Sequence, residues 1–205
     1  MNMFGFAKGL TGFWLRLGGM RIIGQENIPL DRAVIIICNH LSLADPPALV
    51  QAFPYPLTFI AKEEFSHNIF TKLLFGSMGT VFLNKEESDL SAMRTAMNEL
   101  KAGRAVAIFP EGHRTFDQGM DEFKPGAAYI AARTGVKVIP VALINTGDFF
   151  RIWKRNIIVH VGAPISMDHA DKIDSETLTE YTKIFAEKVA ELLAYNQKLL
   201  VEAGK

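Results

Sequence analysis

Two short segments of this 205-residue chain carry side chains of the kinds that move protons and hold anions. The first is Asn39-His40-Leu41-Ser42-Leu43-Ala44-Asp45, and the second is Phe109-Pro110-Glu111-Gly112-His113-Arg114-Thr115. In the first, an imidazole and a carboxylate stand five residues apart. On a regular helix that spacing would separate them by about 140°, so they meet only if the residues between them turn before a helix begins. Asp45-Pro46-Pro47 reads as such a start, with Asp45 as N-cap and proline at the first helical position. A carboxylate that accepts from one ring nitrogen fixes the tautomer and leaves the other nitrogen to take a proton from a hydroxyl. The same spacing also fits an Asp45 that only caps a helix and a His40 that only bonds the backbone. In the second segment Gly112 permits a tight turn between Glu111 and Arg114, and a guanidinium suits forked contact with phosphate or carboxylate. A surface turn with a local Glu111 to Arg114 ion pair is the plainer alternative.

Two further groupings lie close by. Cys38 precedes His40 by two positions, so on a strand both would face one side and suggest a thiol nucleophile, although a buried cysteine is more often a small core hydrophobe. His113, Asp117 and Asp121 recur every four residues, but Gly119 and the polar surroundings argue against a helix there, and no metal site is expected.

Both principal segments follow buried strands, as working loops do in open α/β sheets. Ala33 to Cys38, AVIIIC, is continuously apolar and β-branched, the pattern of a strand covered on both faces. Ala105 to Phe109 has the same character. Around them the periodicity predicts extended segments at 20–24, 57–61, 79–83, 137–143 and 156–161, and helices near 68–77, from Ser88 to Lys101, from Pro125 to Thr134, and at the C-terminus. In the helix after Ser88, Leu90, Met93, Met97 and Leu100 share a face. At the C-terminus Thr177 and Glu180 form a capping box, and Leu178, Tyr181, Phe185, Val189, Leu192 and Leu193 face one way. Buried strands alternating with amphipathic helices predict an α/β fold, a single domain with a largely parallel sheet covered by helices.

Composition supports that class. Hydrophobic residues make up 49% of the chain and charged ones 21%, with 22 basic side chains balancing 22 acidic ones. That removes the broad positive field of a nucleic-acid binder, and no nucleic-acid partner is expected. The lone cysteine permits no internal disulfide and points to an intracellular setting. The uncharged stretch from Pro46 to Ala61 is interrupted by four prolines, so no bilayer-spanning helix is expected.

The N-terminal segment stands apart. From Met1 to Gln25 there is no acidic residue, while Lys8, Arg16 and Arg21 are basic. Met3, Phe6, Ala7, Leu10, Phe13, Trp14 and Leu17 fall on one helical stripe with Lys8 and Arg16 away from it. Three glycines, Gly5, Gly9 and Gly12, weaken such a helix by roughly 1 kcal/mol each, so it needs a surface to fold on. That surface is either the protein's own body or a lipid interface. The chain divides accordingly into an amphipathic segment, residues 1–19, and a domain, residues 20–205.

Taken together, NHLSLADP and FPEGHRT, in that order and about 70 residues apart, resemble the paired blocks of the glycerolipid acyltransferases, most closely the 1-acyl-sn-glycerol-3-phosphate (lysophosphatidic acid) acyltransferases. Further matching stretches are IGQENIP, FIAKEEF, GTVFLNK, FKPGAAYIA and VIPVAL. The resemblance implies that His40 is a general base oriented by Asp45. It further implies that Glu111 and Gly112 shape an acceptor pocket and that Arg114, with Lys62 and Lys85, holds a phosphate. It implies direct transfer from an acyl-CoA or acyl carrier protein thioester to a lysophospholipid hydroxyl, with no cofactor and no acyl-enzyme. It also implies a peripheral location on the cytoplasmic side of the cell membrane, with Phe6, Leu10, Phe13, Trp14 and Leu17 at the membrane interface. Two positions depart from the family pattern: Asn84-Lys85 replaces the usual Asp-Arg, and His113 replaces the usual Thr. Transfer to another lysolipid, a thioesterase, and a non-catalytic lipid-binding module are the rival readings.

Overall fold

The computed structural model describes residues 3–62, 76, 79–83, 89–115, 119–148 and 156–203. Seven strands form one sheet: β1 (Arg21–Ile23), β2 (Val34–Cys38), β3 (Leu57–Lys62), β4 (Thr80–Leu83), β5 (Ala105–Ile108), β6 (Lys137–Ile144) and β7 (Ile158–Val161). Their spatial order is β1-β7-β6-β2-β5-β3-β4. All neighbours pair in parallel except β6 and β7. The fold is the α/β single domain with a largely parallel sheet that the alternating pattern predicts.

The uninterrupted apolar run of β2 has a direct reason. Val34, Ile36 and Cys38 enter the core on one face of the sheet, while Ile35 and Ile37 enter the core on the other. The first face is covered by α1 (Met3–Leu17) and α2 (Asp45–Ala52), and the second by α3 (Asp89–Lys101), α4 (Gly126–Thr134) and α5 (Ser175–Ala203). On α5 the buried apolar side chains include Phe185, Val189 and Leu193, as the periodicity predicts. On α3 the buried face runs through Ala96 and Leu100, with Met93 and Met97 packed beside it. Leu90, on the first turn, is 62% exposed and does not join it. The α5 helix also starts two residues before the expected capping box. Asp174 receives the Thr177 amide at 2.7 Å and so serves as the cap itself. Of the helix expected near 68–77 only Gly76, which is helical, is among the described residues, and the Ser88 cap lies outside them.

The direction of β1 decides where α1 comes to rest. β1 runs parallel to β7, β7 runs against β6, and β6 runs with β2, so β1 points opposite to β2. Its first residue, Arg21, pairs with Ile158, which lies opposite Ile144 at the carboxyl end of β6. The end of α1 therefore arrives at the same end of the sheet as the loop after β2. Gly24 then turns the chain in a left-handed conformation (φ 77°) beside Val161, where a Cβ would meet the Val161 carbonyl.

The α1 helix lies on α2. Lys8 donates to the Phe53 carbonyl at 2.9 Å, and Gln51 Nε2 donates to the Lys8 carbonyl at 2.7 Å and to Thr11 Oγ1 at 3.2 Å. Gly12 packs against the Gln51 side chain, and Leu15 is fully buried. Burial, helped by Arg16, holds the Lys8 ammonium below its ordinary pKa. The predicted stripe is on the opposite side: Phe13 is 61%, Trp14 42% and Leu17 56% exposed. The side chains of Phe6 and Leu10 lie outside the described residues. No helix among the described residues is long and apolar enough to cross a membrane.

Candidate active site

The site begins at Asn39, where β2 stops. Its side-chain amide behaves as one more peptide of the strand, donating from Nδ2 to the Leu143 carbonyl at 2.9 Å and accepting the Leu143 amide on Oδ1 at 2.8 Å. The fully buried Asn39 thereby extends the β2–β6 ladder and fixes the root of the loop. Sequence reasoning gave Asn39 no role, although its place in the NHLSLADP block was the available signal.

His40 and Asp45 meet. His40 Nδ1 lies 2.6 Å from Asp45 Oδ2, and the same oxygen accepts the Leu41 and Ser42 amides at 2.7 and 2.8 Å. This corrects the expected cap: Asp45 is the first residue of α2 and Ala44 occupies the cap position without a side-chain bond. The Asp45 carboxylate turns back over the loop, because three donors converge there and the proline start leaves that first turn without donors at Pro46 and Pro47. Ser42 completes the turn, with Oγ accepting the Ala44 amide at 3.0 Å and donating to the Thr146 carbonyl at 2.9 Å. Asp45 is fully buried, and its Oδ1 has no partner among the described residues.

The imidazole is held in plane as well. It stacks on Phe109 with centroids 4.1 Å apart and 23° between the rings, and Phe109 in turn stacks on Phe59. Its side chain is 18% exposed. With the carboxylate accepting at Nδ1, that nitrogen carries the proton and Nε2 presents a lone pair. A hydroxyl brought to Nε2 would find a base.

The second loop lies against the first. Glu111, buried, accepts the His40 amide on Oε1 at 2.9 Å, and the Thr115 amide donates to the His40 carbonyl at 2.7 Å. Glu111 Oε2 accepts from Thr115 Oγ1 and from the Asp121 amide. The turn closes through Gly112, whose left-handed conformation (φ 75°) leaves room for the Lys124 ammonium 2.8 Å from where a Cβ would stand. A cavity of about 540 Å³ opens here, lined by Glu111, His113, Asp121, Glu122, Phe123, Lys124 and Pro125. Arg114 is half-buried and forms no ion pair among the described residues, so the plain reading of a Glu111–Arg114 pair does not hold. Glu111 is occupied by His40 and Thr115 instead. His113 faces Asp121, with Nε2 2.8 Å from Oδ2.

Of the other expected residues, Lys62 is the last residue of β3, at the carboxyl end of the parallel strands, and its side chain lies outside the described residues, as does the whole of Lys85. Asp117 lies outside them too. Among the described residues no group of three or more His, Cys, Asp or Glu side chains could hold a metal. Cys38 is fully buried, and burial, then Asp45, then Glu111 raise its thiol well above the usual pKa, the opposite of what a nucleophilic thiolate requires.

Residues 19–144 match the family described as Acyltransferase. The chain belongs to that acyltransferase family. It is 35% identical over 173 residues to the 1-acyl-sn-glycerol-3-phosphate acyltransferase of Borreliella burgdorferi, an alignment covering 82% of this chain and 68% of the relative. With the Bacillus subtilis protein of the same name it shares 28% identity over 180 residues, 85% of this chain and 88% of the relative. Against several other curated relatives the acyltransferase chain spans about half of their length. A similar solved structure is the 1-acyl-sn-glycerophosphate (LPA) acyltransferase PlsC from Thermotoga maritima, with TM-score 0.71 and 29% identity over 92% of this chain and 79% of that one. The His40 and Glu111 loops both fall inside the family match.

Proposed function

We infer that this acyltransferase moves a fatty acyl group from a thioester to the free hydroxyl of 1-acyl-sn-glycerol 3-phosphate, forming phosphatidic acid. The observation that carries the chemistry is the His40–Asp45 pair, with Nδ1 engaged at 2.6 Å and Nε2 free to act. The acceptor hydroxyl gives its proton to His40 Nε2 as its oxygen attacks the thioester carbonyl carbon. The tetrahedral intermediate collapses, the C–S bond breaks, and the imidazolium returns the proton to the departing sulfur. Atoms balance without a covalent enzyme intermediate, in keeping with a Cys38 held as the thiol.

Arg114, without an ion pair among the described residues, is the cation for the acceptor phosphate, joined by Lys62 from the end of β3 and by Lys85. Glu111 lines the cavity beside the second loop, with its carboxylate turned to His40, Thr115 and Asp121 rather than to the acceptor, and the turn at Gly112 sets the course of that loop. The acyl donor is coenzyme A or acyl carrier protein thioester. The exposed face of α1 lies on a membrane surface, the cytoplasmic face of the cell membrane, and two observations support this. Phe13 and Trp14 are exposed rather than buried on the domain, and the helix ends at the same end of the sheet as His40.

The test is release of thiol by the purified chain from both donors, with lysophosphatidic acid, with a neutral monoacylglycerol, and with no acceptor. Thiol release that depends on lysophosphatidic acid, with phosphatidic acid as product, is the expected result. Arg114→Ala should raise KM for the phosphomonoester acceptor far more than for the neutral one. Equal thiol release without acceptor would make the protein a thioesterase, and lipid binding without thiol release would make it a binding module.

A further inference from the structure

His40 is gripped by its main chain as well as by its ring. Its amide donates to Glu111 Oε1 and its carbonyl accepts from the Thr115 amide, so the peptide units on both sides of the imidazole are tied to the second loop. Both oxygens of the Glu111 carboxylate are engaged. Its other oxygen accepts from Thr115 Oγ1 and, at 3.3 Å, from the Asp121 amide, and the residue is 1% exposed. A buried anion among the described residues is here balanced by N–H and O–H donors from three positions, with no cation paired to it.

Asp45 and Phe109 fix how the imidazole turns about its own bonds. Asp45 also holds the Leu41 and Ser42 amides within the same loop, but among the described residues it is Glu111 and Thr115 that tie the His40 main chain itself to the segment after β5. Resting on the reading of His40 as base, we propose that Glu111 and Thr115 are positioning residues: they set the reach of Nε2 to the acceptor hydroxyl by clamping the His40 main chain, and Glu111 acts through His40 rather than on the acceptor. A base works within about 2.6–3.2 Å of its proton, and a displacement of about 1 Å costs on the order of a hundredfold in rate. His113, paired with Asp121, braces the outer edge of the same clamp.

The test uses the full chain with lysophosphatidic acid and acyl-CoA and compares wild type with Thr115→Val, Thr115→Ser and His40→Ala. Valine removes the hydroxyl that donates to Glu111 and keeps the Thr115 amide. The low-field imidazole proton resonance that His40→Ala abolishes reports the Nδ1 hydrogen bond. The expected result is a fall in kcat of about tenfold or more in Thr115→Val, with acceptor KM changed less than about twofold, a moved Nδ1 resonance, and recovery of both in Thr115→Ser. A raised acceptor KM with kcat intact would overturn the proposal and make the clamp a substrate contact. An unmoved resonance with unchanged kinetics would overturn it and leave Thr115 merely structural. Circular dichroism checks that both threonine variants fold. If His40→Ala itself kept more than a tenth of its turnover, the reading of His40 would fall first, and this proposal with it.

Discussion

Around His40, the ring, the amide and the carbonyl each have a partner within 2.9 Å, whereas along α1 three large side chains, Phe13, Trp14 and Leu17, remain in the open. The two regions lie at the same end of one sheet and are built on opposite principles. The His40 loop is defined by converging donors on buried carboxylates, an arrangement in which losing one partner leaves a costly orphan. The helix is defined by an asymmetry: one edge, through Lys8, Thr11, Gly12 and Leu15, is fitted to α2 and the core, and the edge carrying Phe13, Trp14 and Leu17 is left exposed. Damage in the first region should therefore appear in turnover, and damage in the second should split between stability and lipid attachment according to which edge is touched.

The largest effect belongs to the loop. His40→Ala should lower turnover by about a hundredfold to ten-thousandfold with the melting temperature nearly unchanged. Asp45→Asn should approach that loss, because a neutral amide oxygen in the place of Oδ2 can still accept from Nδ1, Leu41 and Ser42 but supplies no charge to stabilise the imidazolium that forms when His40 takes the proton. Retention of more than a tenth of wild-type turnover in His40→Ala would break the comparison on this side.

Next come the two edges of α1. Leu15→Ala should cost about 2–5 kcal/mol of stability while leaving liposome binding intact in the surviving folded protein. Replacing Phe13, Trp14 and Leu17 together with serine should do the reverse: little change in melting temperature, a large loss of co-sedimentation with anionic liposomes, and lower activity on bilayer-embedded acceptor than on dispersed short-chain acceptor. If the triple substitution lowered the melting temperature as much as Leu15→Ala and left sedimentation unchanged, the open edge would have no lipid role.

The sequence carried these regions to different depths. Strands and their two-sided burial were readable in AVIIIC, because a run of β-branched apolar residues has few other uses. That Phe13, Trp14 and Leu17 share a side of α1 was readable because periodicity is a local property, whereas periodicity does not say whether that side is covered. Leu15 was not, since it lies off the stripe and its burial depends on where α2 happens to pass. For Asp45 the prolines suggest a cap and the paired blocks suggest a partner for His40; the structure shows the pairing and not the cap, because His40, Leu41 and Ser42 fold back onto the carboxylate. Least legible were the contacts that bridge distant segments: Asn39 with Leu143 and His40 with Glu111 are separated by 104 and 71 positions, and no spacing rule reaches that far.

The smallest effect lies on the far side of the sheet core. His160 on β7 bonds through Nδ1 to the buried Asn196, and burial lowers its pKa below the ordinary 6.5, against the smaller opposing pull of Asn196 and Glu26. The folded state thus favours the neutral ring. The stabilisation it reflects is complete above about pH 6.5 and is lost as the pH falls below that value toward the lowered pKa. Melting temperature followed from pH 8 to pH 5 should drop less in His160→Gln than in wild type. Identical slopes would assign the acid sensitivity to other groups.

The pairing of Asn39 with Leu143 carries a consequence for the order in which the protein comes into being. The loop that bears His40 is made early during synthesis, yet its root is fixed by a strand about a hundred residues later and its main chain by the segment after β5. Contacts of such long separation form late, once the chain between them has been gathered in. A nascent or partly unfolded chain consequently holds every residue of the site and none of its geometry. The His40 amide, although it sits in a loop, should exchange its hydrogen as slowly as those of the central strands, because releasing it requires the two halves of the sheet to come apart.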